Sequence, residues 1–180
     1  IVKYFPKDAG RYISAGVVIS EYGGRRNASY HRMLIRDKDS IGIRLVPRHT
    51  FTLYNEARKN GEDLKVAICI GAPAEVMVSA ALSVDFGTDE LTIASSMYRK
   101  GHGTLLKVAK CGNGLTVPAD CEYVLEGRIT SETAPEGPFV DIAGTYDEIR
   151  EQPIVKIERI WTKKDPVFQL LLPGGFEHFL

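Results

Sequence analysis

The sequence predicts an α+β fold built around a mainly antiparallel, barrel-like sheet with a few peripheral helices. Two observations favour this class: the predicted strands outnumber the helices, and several neighbouring strands are joined by short turns typical of hairpins. The chain has 180 residues, of which 44% are hydrophobic and 26% charged. Such a chain can bury a sizeable core, and we expect residues 1–180 to form a single domain.

The first three strands are predicted near the start of the chain. Residues 11–20 alternate between apolar and polar positions, which is typical of a strand with one buried face. Gly23 and Gly24 mark a tight turn, and residues 28–35 form the returning strand of a hairpin. A third strand follows over residues 41–46 and ends at Pro47, because proline cannot donate to the hydrogen-bond ladder.

Three helices and the remaining strands complete the prediction. The helices cover residues 51–60, residues 73–82, and a segment from Thr88 to Gly101. The acid Glu90 near the start of the third helix complements the positive end of the helix dipole, which is a sufficient structural explanation for it. The other predicted strands cover residues 64–70, 105–109, 123–130, 155–162 and 167–172.

Charge and composition argue against several classes of protein. Basic and acidic residues number 23 each, so no global field favours nucleic acid. No apolar run approaches the roughly 20 residues of a membrane span. The three cysteines lack the spacing of a zinc site, so we expect reduced thiols in a cytoplasmic protein. The chain starts without methionine, and residues 173–180 enter a helix that is cut short, so we expect a domain from a longer protein.

Two carboxylates, Glu136 and Asp141, flank a Gly-Pro pair. Pro138 restricts the backbone on both sides, so the segment is predicted to be a stiff, extended turn. A rigid spacer of this kind could hold two acids in different environments, with one ionised and the other protonated. Taken alone, the segment favours the simpler interpretation of a surface turn with two solvated acids.

Residues 25–32 and 44–49 carry arginines, an asparagine and two histidines within otherwise apolar strands. An arginine at a half-buried strand position needs an anionic partner, because an unpaired buried charge is costly. Glu136 is a possible internal partner for Arg32, and a ligand carboxylate or phosphate is a possible external one. Generic surface strands are an alternative interpretation of these residues.

Six motifs, taken in order along the chain, resemble the UbiD family of prenylated-flavin decarboxylases, such as the polyprenyl-hydroxybenzoate decarboxylases. They are GRYIxAGVVI at 10–19, RNxSxHRM at 26–33, VPRH at 46–49, VPAxxExVLEG at 117–127, EGPFxD at 136–141 and LPGGxEH at 172–178. The resemblance covers nearly the whole chain and implies the central, cofactor-binding domain of that family. It implies a split β-barrel related to FMN-binding flavin reductases, with the family's N-terminal and C-terminal domains absent.

The resemblance also implies the site residues. A divalent metal, usually manganese, would be bound by Asn27, His49 and Glu90, with potassium as a second candidate ion. Oxygen and imidazole ligands suit a metal of that kind. Prenylated FMN would be held by Tyr30, His31, Arg32, Arg44, Leu45, Val46, Arg48 and His49. Arg32, Glu136 and Asp141 match the family's catalytic arginine-acid-acid triad.

The implied activity is non-oxidative, reversible decarboxylation of an aromatic or α,β-unsaturated carboxylic acid. Arg32 would orient the carboxylate, Glu136 would hold and tune Arg32, and Asp141 would return a proton to carbon. Aspartate at position 141, where some members carry glutamate, argues against the cinnamic-acid-type subgroup. A flavin prenyltransferase would supply the cofactor, and the full-length protein is expected to be a homo-oligomer.

Two other functions and the choice of substrate stay open at this point. One alternative is a flavin reductase-like oxidoreductase on the same barrel, and the other is a catalytically inactive flavin-binding fragment. The HRM sequence at 31–33 is similar to archaeal members that act on phosphorylated isoprenoid-precursor acids. The acid could therefore be aromatic or a phosphorylated precursor of that kind.

Overall fold

Strands dominate the computed structural model, which describes residues 3–174. The strands are β1 (Tyr12–Tyr22), β2 (Arg25–Ile35), β3 (Ser40–Ile43), β4 (Leu64–Ile70), β5 (Val108–Lys110), β6 (Thr116–Pro118), β7 (Tyr123–Glu136) and β8 (Arg150–Thr162). The helices are α1 (His49–Lys59), α2 (Ala74–Ser79) and α3 (Glu90–His102). No helix within residues 3–174 is long and apolar enough to cross a membrane.

Six strands close into a barrel in the order β1-β2-β3-β8-β7-β4, and each neighbouring pair is antiparallel. β5 and β6 form a separate two-stranded sheet. The predicted α+β class with a mainly antiparallel barrel is therefore confirmed.

The turn between β1 and β2 follows the sequence prediction. Tyr22 pairs with Arg25 across the hairpin, which leaves Gly23 and Gly24 as a two-residue loop. Both glycines have positive φ angles, 57° and 73°. Two-residue hairpin loops need such angles, and glycine adopts them without steric cost.

Both faces of the barrel wall are covered by apolar residues. Along β1, Val17 belongs to one apolar cluster, whereas its neighbour Val18 belongs to another, because successive side chains point to opposite faces. The first cluster includes Leu91 of α3, and the second includes Leu53 of α1. Helices α1 and α3 thus pack against the strands of the barrel.

Several predicted elements differ from the structure. Residues 167–172 were expected to form a strand, and this is wrong: they have no strand pairing, and Val167 is 70% exposed. A closed barrel offers no free edge to which they could add, and they do not pair with the two-stranded sheet either. β7 continues to Glu136 and β8 begins at Arg150, so Glu136 ends a strand instead of opening a turn. The helix start predicted over 173–180 lies, from residue 175 onward, outside the described residues.

Candidate functional site

Arg32 of β2 and Glu136 of β7 form a buried ion pair, as the sequence suggested. The Arg32 Nε atom donates to Glu136 Oε1 at 3.0 Å, and Nη2 donates to Oε2 at 2.9 Å. The hydroxyl of Tyr12 donates to the same Oε1 at 3.1 Å. Glu136 is fully buried, so these charge-assisted bonds replace the water that its carboxylate would otherwise bind. The pair fixes the guanidinium of Arg32 in one orientation.

A second carboxylate, Asp147, meets Arg32 from the loop that connects β7 to β8. Arg32 Nη2 donates to Asp147 Oδ2 at 2.9 Å, and Arg44 Nη2 lies 3.5 Å from the same oxygen. Burial raises the pKa of Asp147, but the positive charge of Arg32, the backbone N–H of Glu148 and Arg44 outweigh it and hold that pKa below its usual range. Asp147 is therefore an anion at neutral pH. Nothing in the local sequence pattern marked it as part of the site.

Asp141 lies in the same loop but binds its own backbone. Its Oδ1 atom accepts from the backbone N–H groups of Ala143, at 2.9 Å, and Thr145, at 3.1 Å. Its Oδ2 atom accepts from the Thr145 hydroxyl at 3.0 Å. Three donors of its own loop therefore surround the carboxylate of Asp141. Its role as a proton donor stays a prediction.

A cavity of about 940 Å³ opens beside β2. Its wall includes most of the residues expected to bind the flavin, namely Tyr30, His31, Val46, Arg48 and His49. The start of α1 also contributes, since Arg48 is the residue before its first turn. Helix N-termini attract anions because their backbone N–H groups are unpaired.

Three residues expected at the flavin lie outside the wall of this cavity: Arg32, Arg44 and Leu45. Leu45 is 4% exposed and packs in the core, while its backbone N–H donates to Gln152 Oε1 at 2.8 Å. Arg44 faces Asp147, not the cavity. The alternation of side chains along an extended chain places Leu45 and its neighbour Val46 on opposite sides.

Asn27, His49 and Glu90, the expected metal ligands, all line the cavity. The Nδ1 atom of His49 lies 3.9 Å from Glu90 Oε1. Two ligands that are each about 2.1 Å from one ion lie at most about 4.2 Å apart, so this spacing fits a shared metal. Asn27 donates through Nδ2 to Ser29 Oγ and Thr50 Oγ1, both at 2.9 Å, which leaves its oxygen as the ligand atom. The residues present therefore fit a hard divalent ion.

Glu90 occupies a position that helix-dipole stabilisation alone does not explain. Its side chain is 3% exposed, and Oε2 accepts from the Ala28 N–H at 2.8 Å. Burial raises the pKa of Glu90, although its hydrogen bonds and His49 act in the opposite direction. The adjacent Asp89 caps the helix instead, by accepting from Leu91 N–H at 3.0 Å. Among residues 3–174, no three His, Cys, Asp or Glu side chains form a metal-sized group.

His31 lies in the cavity wall and also contacts the backbone of Arg44. Its Nδ1 atom lies 2.9 Å from the carbonyl oxygen of Arg44, and since a carbonyl only accepts, Nδ1 carries the proton. Its Nε2 atom then accepts from the hydroxyl of Ser29, at 3.0 Å, or of Thr50, at 3.2 Å. Burial lowers the pKa of His31, so the ring is neutral. Thr50 was missed at the sequence level because its contacts depend on the packing of α1 against β2.

Comparison with known proteins identifies the family. A family model described as the UbiD 3-octaprenyl-4-hydroxybenzoate carboxy-lyase Rift-related domain matches residues 1–176. The chain belongs to the UbiD family. This confirms the resemblance that the six motifs indicated.

Relatives of known name share this UbiD domain. The chain is 44% identical over its whole length to anhydromevalonate phosphate decarboxylase of Methanosarcina mazei, and covers 42% of that protein. It is 46% identical, over 97% of its length, to the protein of the same name from Methanocaldococcus jannaschii, of which it covers 41%. The chain thus spans about two fifths of the length of these curated relatives.

Among solved structures, the UbiD-class enzyme HmfF from Pelotomaculum thermopropionicum has the same fold. The structure of an evolved dimeric form of HmfF, in complex with prFMN, superposes with a TM-score of 0.92 at 31% identity. The match covers 99% of this chain and 42% of the HmfF chain. The split-barrel expectation is therefore confirmed by a flavin-binding neighbour.

Proposed function

We propose that this chain is the cofactor-binding part of a non-oxidative decarboxylase that uses prenylated FMN and a divalent metal. The observation that carries the proposal is the buried, bidentate pair between Arg32 and Glu136. A fixed guanidinium that contacts a second carboxylate, here that of Asp147, is suited to binding an acid. Hydride transfer by a flavin reductase would have no use for this pair.

Each residue of the candidate site would have its own role in decarboxylation. Arg32 would bind the carboxylate of the substrate, while Glu136 and the Tyr12 hydroxyl keep its guanidinium in place. When bound in the cavity, prenylated FMN would supply the electron sink for the loss of carbon dioxide. Asp141 is our candidate for the residue that returns a proton to carbon. It would have to leave its turn to do so, since its oxygens are occupied by Ala143 and Thr145.

The metal and the flavin phosphate would share the cavity. Asn27, His49 and Glu90 would hold the ion, which by the family resemblance would be manganese, with potassium as a second candidate. The flavin phosphate would bind near Arg48, whose guanidinium fork suits a phosphate, and near the first turn of α1. Neutral His31 would fix the wall on which the metal ligand Asn27 lies, through Ser29 and Thr50.

We infer that the substrate is a phosphorylated α,β-unsaturated acid. Relatives that are 44% and 46% identical are named anhydromevalonate phosphate decarboxylase, which supports this class. An aromatic acid is the second candidate, because phenolic acid decarboxylase of Bacillus subtilis is 31% identical over 93% of this chain. A flavin prenyltransferase as cofactor supplier, a homo-oligomeric whole protein and a cytoplasmic location belong to the same proposal.

Titration of the purified protein with FMN, with and without manganese and a chelator, tests the cofactor site. We expect manganese to strengthen binding and Arg48→Ala to weaken it, while the matched control Arg128→Ala, whose arginine pairs with Asp63 away from the cavity, binds as wild type. Metal-independent binding that is unchanged in Arg48→Ala would contradict the site. The whole protein, loaded with prenylated FMN, should release carbon dioxide from a phosphorylated unsaturated acid in preference to a phenolic acid.

A further inference from the structure

Arg44 and Arg32 converge on a single oxygen atom. Nη2 of Arg32 lies 2.9 Å from Asp147 Oδ2, and Nη2 of Arg44 lies 3.5 Å from it. Each of the two arginine side chains is only 16% exposed. Among the ion pairs of the described residues, Asp147 is the one acidic partner of Arg44. The two guanidinium groups therefore already form a pocket for one carboxylate.

Charge balance defines what this pocket requires. Arg32 and Arg44 contribute two positive charges, and Glu136 and Asp147 contribute two negative ones. Arg150, which lies 3.5 Å from Asp147 Oδ1, has its own acidic partner in Glu148, so that pair leaves the balance unchanged. Glu136 is committed to Arg32 and Tyr12, because its three hydrogen bonds are buried. Without Asp147, one half-buried positive charge would stay unpaired, which is unfavourable. The pocket accordingly needs one anion at all times, and a carboxylate from another molecule would satisfy it equally.

Asp147 is the carboxylate that is free to leave. Glu136 ends a barrel strand and is fully buried, whereas Asp147 belongs to the connection between β7 and β8 and its side chain is 24% exposed. The backbone N–H of Asp147 donates to the Phe139 carbonyl at 2.9 Å, and its Oδ1 atom accepts from the Glu148 N–H at 2.9 Å. Both of these contacts lie within the loop itself. Oδ1 also lies 3.5 Å from Nη2 of Arg150, a half-exposed side chain at the first residue of β8, so the loop could withdraw Asp147 without breaking the barrel.

We propose that Arg32 and Arg44 form one carboxylate-binding subsite, that Asp147 occupies it when no acid is bound, and that the substrate carboxylate replaces Asp147. This deepens the proposed function and rests on it, since it takes the substrate to be an acid bound by Arg32. It assigns Arg44 to the substrate in place of the flavin. The exchange is one carboxylate for another, so the charge of the pocket is the same before and after.

Calorimetric titration of the purified protein with crotonate, a simple unsaturated carboxylate, tests the competition. Asp147→Asn removes the internal competitor and should bind crotonate about tenfold more tightly than wild type. The matched control is Glu148→Gln, which removes the neighbouring acid that contacts Arg150 and should change affinity by less than about twofold. Arg44→Gln should bind about tenfold more weakly. Crotonamide, which lacks the charge, should not bind.

Equal affinities of the Asp147→Asn and Glu148→Gln variants for crotonate would overturn the proposal, and so would weaker binding by Asp147→Asn. The latter would mean that Asp147 only positions Arg32. Hydrogen exchange of the wild-type protein gives a second measurement that does not depend on any variant. Crotonate should speed amide exchange over residues 143–149, because the contacts of Asp147 with Phe139 and Glu148 open. Unchanged or slower exchange with crotonate bound would refute the displacement.

Neither measurement needs flavin, metal or turnover. Failure of the subsite proposal is therefore distinguishable from failure of the proposed function. If Asp147→Asn binds crotonate more tightly but the whole protein does not decarboxylate any acid, the subsite proposal holds and the proposed activity is wrong. If the protein decarboxylates its substrate but shows neither tighter crotonate binding in Asp147→Asn nor faster exchange, only the subsite proposal is wrong.

Discussion

Arg32 and Glu136 are joined by two hydrogen bonds of 3.0 and 2.9 Å although 104 residues separate them in the sequence. Glu136 is completely buried, and Arg32 is largely so. Removing one partner of such a pair leaves the other as an uncompensated charge. The relationship therefore connects the stability of the barrel to the geometry of the site.

Glu136→Gln should lower the free energy of unfolding by about 3 kcal/mol, the lower end for breaking a buried ion pair, because Asp147 still contacts Arg32. In the whole protein it should also impair turnover, through loss of Arg32 placement. Urea unfolding followed by the fluorescence of Trp161 measures the stability. The control is Glu148→Gln at an exposed acid, which should change stability by less than about 0.5 kcal/mol. Indistinguishable midpoints for the two variants would show that Glu136 is not a buried ionic partner.

Tyr12→Phe should destabilise the protein by about 1.5 kcal/mol, because Glu136 loses a donor to its buried charge. Burial and the neighbouring carboxylate raise the pKa of Tyr12, so the phenol is protonated and able to donate. Tyr54→Phe is the matched comparison, since that hydroxyl donates to the neutral Thr130 carbonyl at 3.0 Å and should contribute about 1 kcal/mol. Urea unfolding measures both variants. A greater loss of unfolding free energy in Tyr54→Phe than in Tyr12→Phe would show that Tyr12 does not donate to a buried charge.

Asp141→Asn in the whole enzyme should abolish turnover and deuterium incorporation into product, while flavin and metal stay bound. The physical reason is that an amide cannot supply the proton of a carboxylic acid. Thr145→Val provides the control, because it removes a donor to Asp141 and leaves the carboxylate. Equal loss of turnover in both variants would assign Asp141 to loop structure. Turnover of Asp141→Asn near the wild-type rate would exclude it as the proton donor.

The neutral, buried His31 should make stability depend on pH. Burial lowers its pKa below the ordinary 6.5, so the unfolded chain binds a proton before the folded one does. The stabilisation is thus present above pH 6.5 and is lost as the pH falls towards the folded pKa, with a slope of at most about 1.4 kcal/mol per pH unit. Urea unfolding between pH 7 and 5 should show this slope in wild type and not in His31→Gln.

Glu90 acts in the opposite direction, because burial raises its pKa and so favours folding as the pH falls. The difference between wild type and His31→Gln cancels this contribution. His102→Gln, which replaces an exposed histidine, should behave as wild type. A His31→Gln variant that lost as much stability as wild type on acidification would show that His31 does not titrate with folding.

The local parts of the fold were predictable because they depend on short-range chemistry. Gly23 and Gly24 need no distant contact to favour a tight turn, and alternation along β1 follows from the two faces of a strand. Residues 167–172 show the limit of such patterns. Their composition suits a strand, but a strand needs an open partner edge, and closure of the barrel removes it.

The candidate site was likewise predictable in part from the sequence. The need of Arg32 for a carboxylate, and Glu136 as a candidate for it, followed from the sequence, because burying a charge without a counter-charge is unfavourable. The family resemblance likewise implied Asn27, His49 and Glu90 as one set of ligands, and all three line one cavity.

The sequence by itself thus determined the antiparallel barrel and the residue types of the candidate site on it. Only the tertiary structure decided which carboxylates meet Arg32: Asp147 contacts it, whereas Asp141 turns back onto Ala143 and Thr145. Both acids follow Glu136 in one loop, and each is near enough in sequence to reach the arginine. Which acid contacts Arg32 depends on how the loop folds between the end of β7 and the start of β8. There, backbone donors compete with Arg32 for each carboxylate.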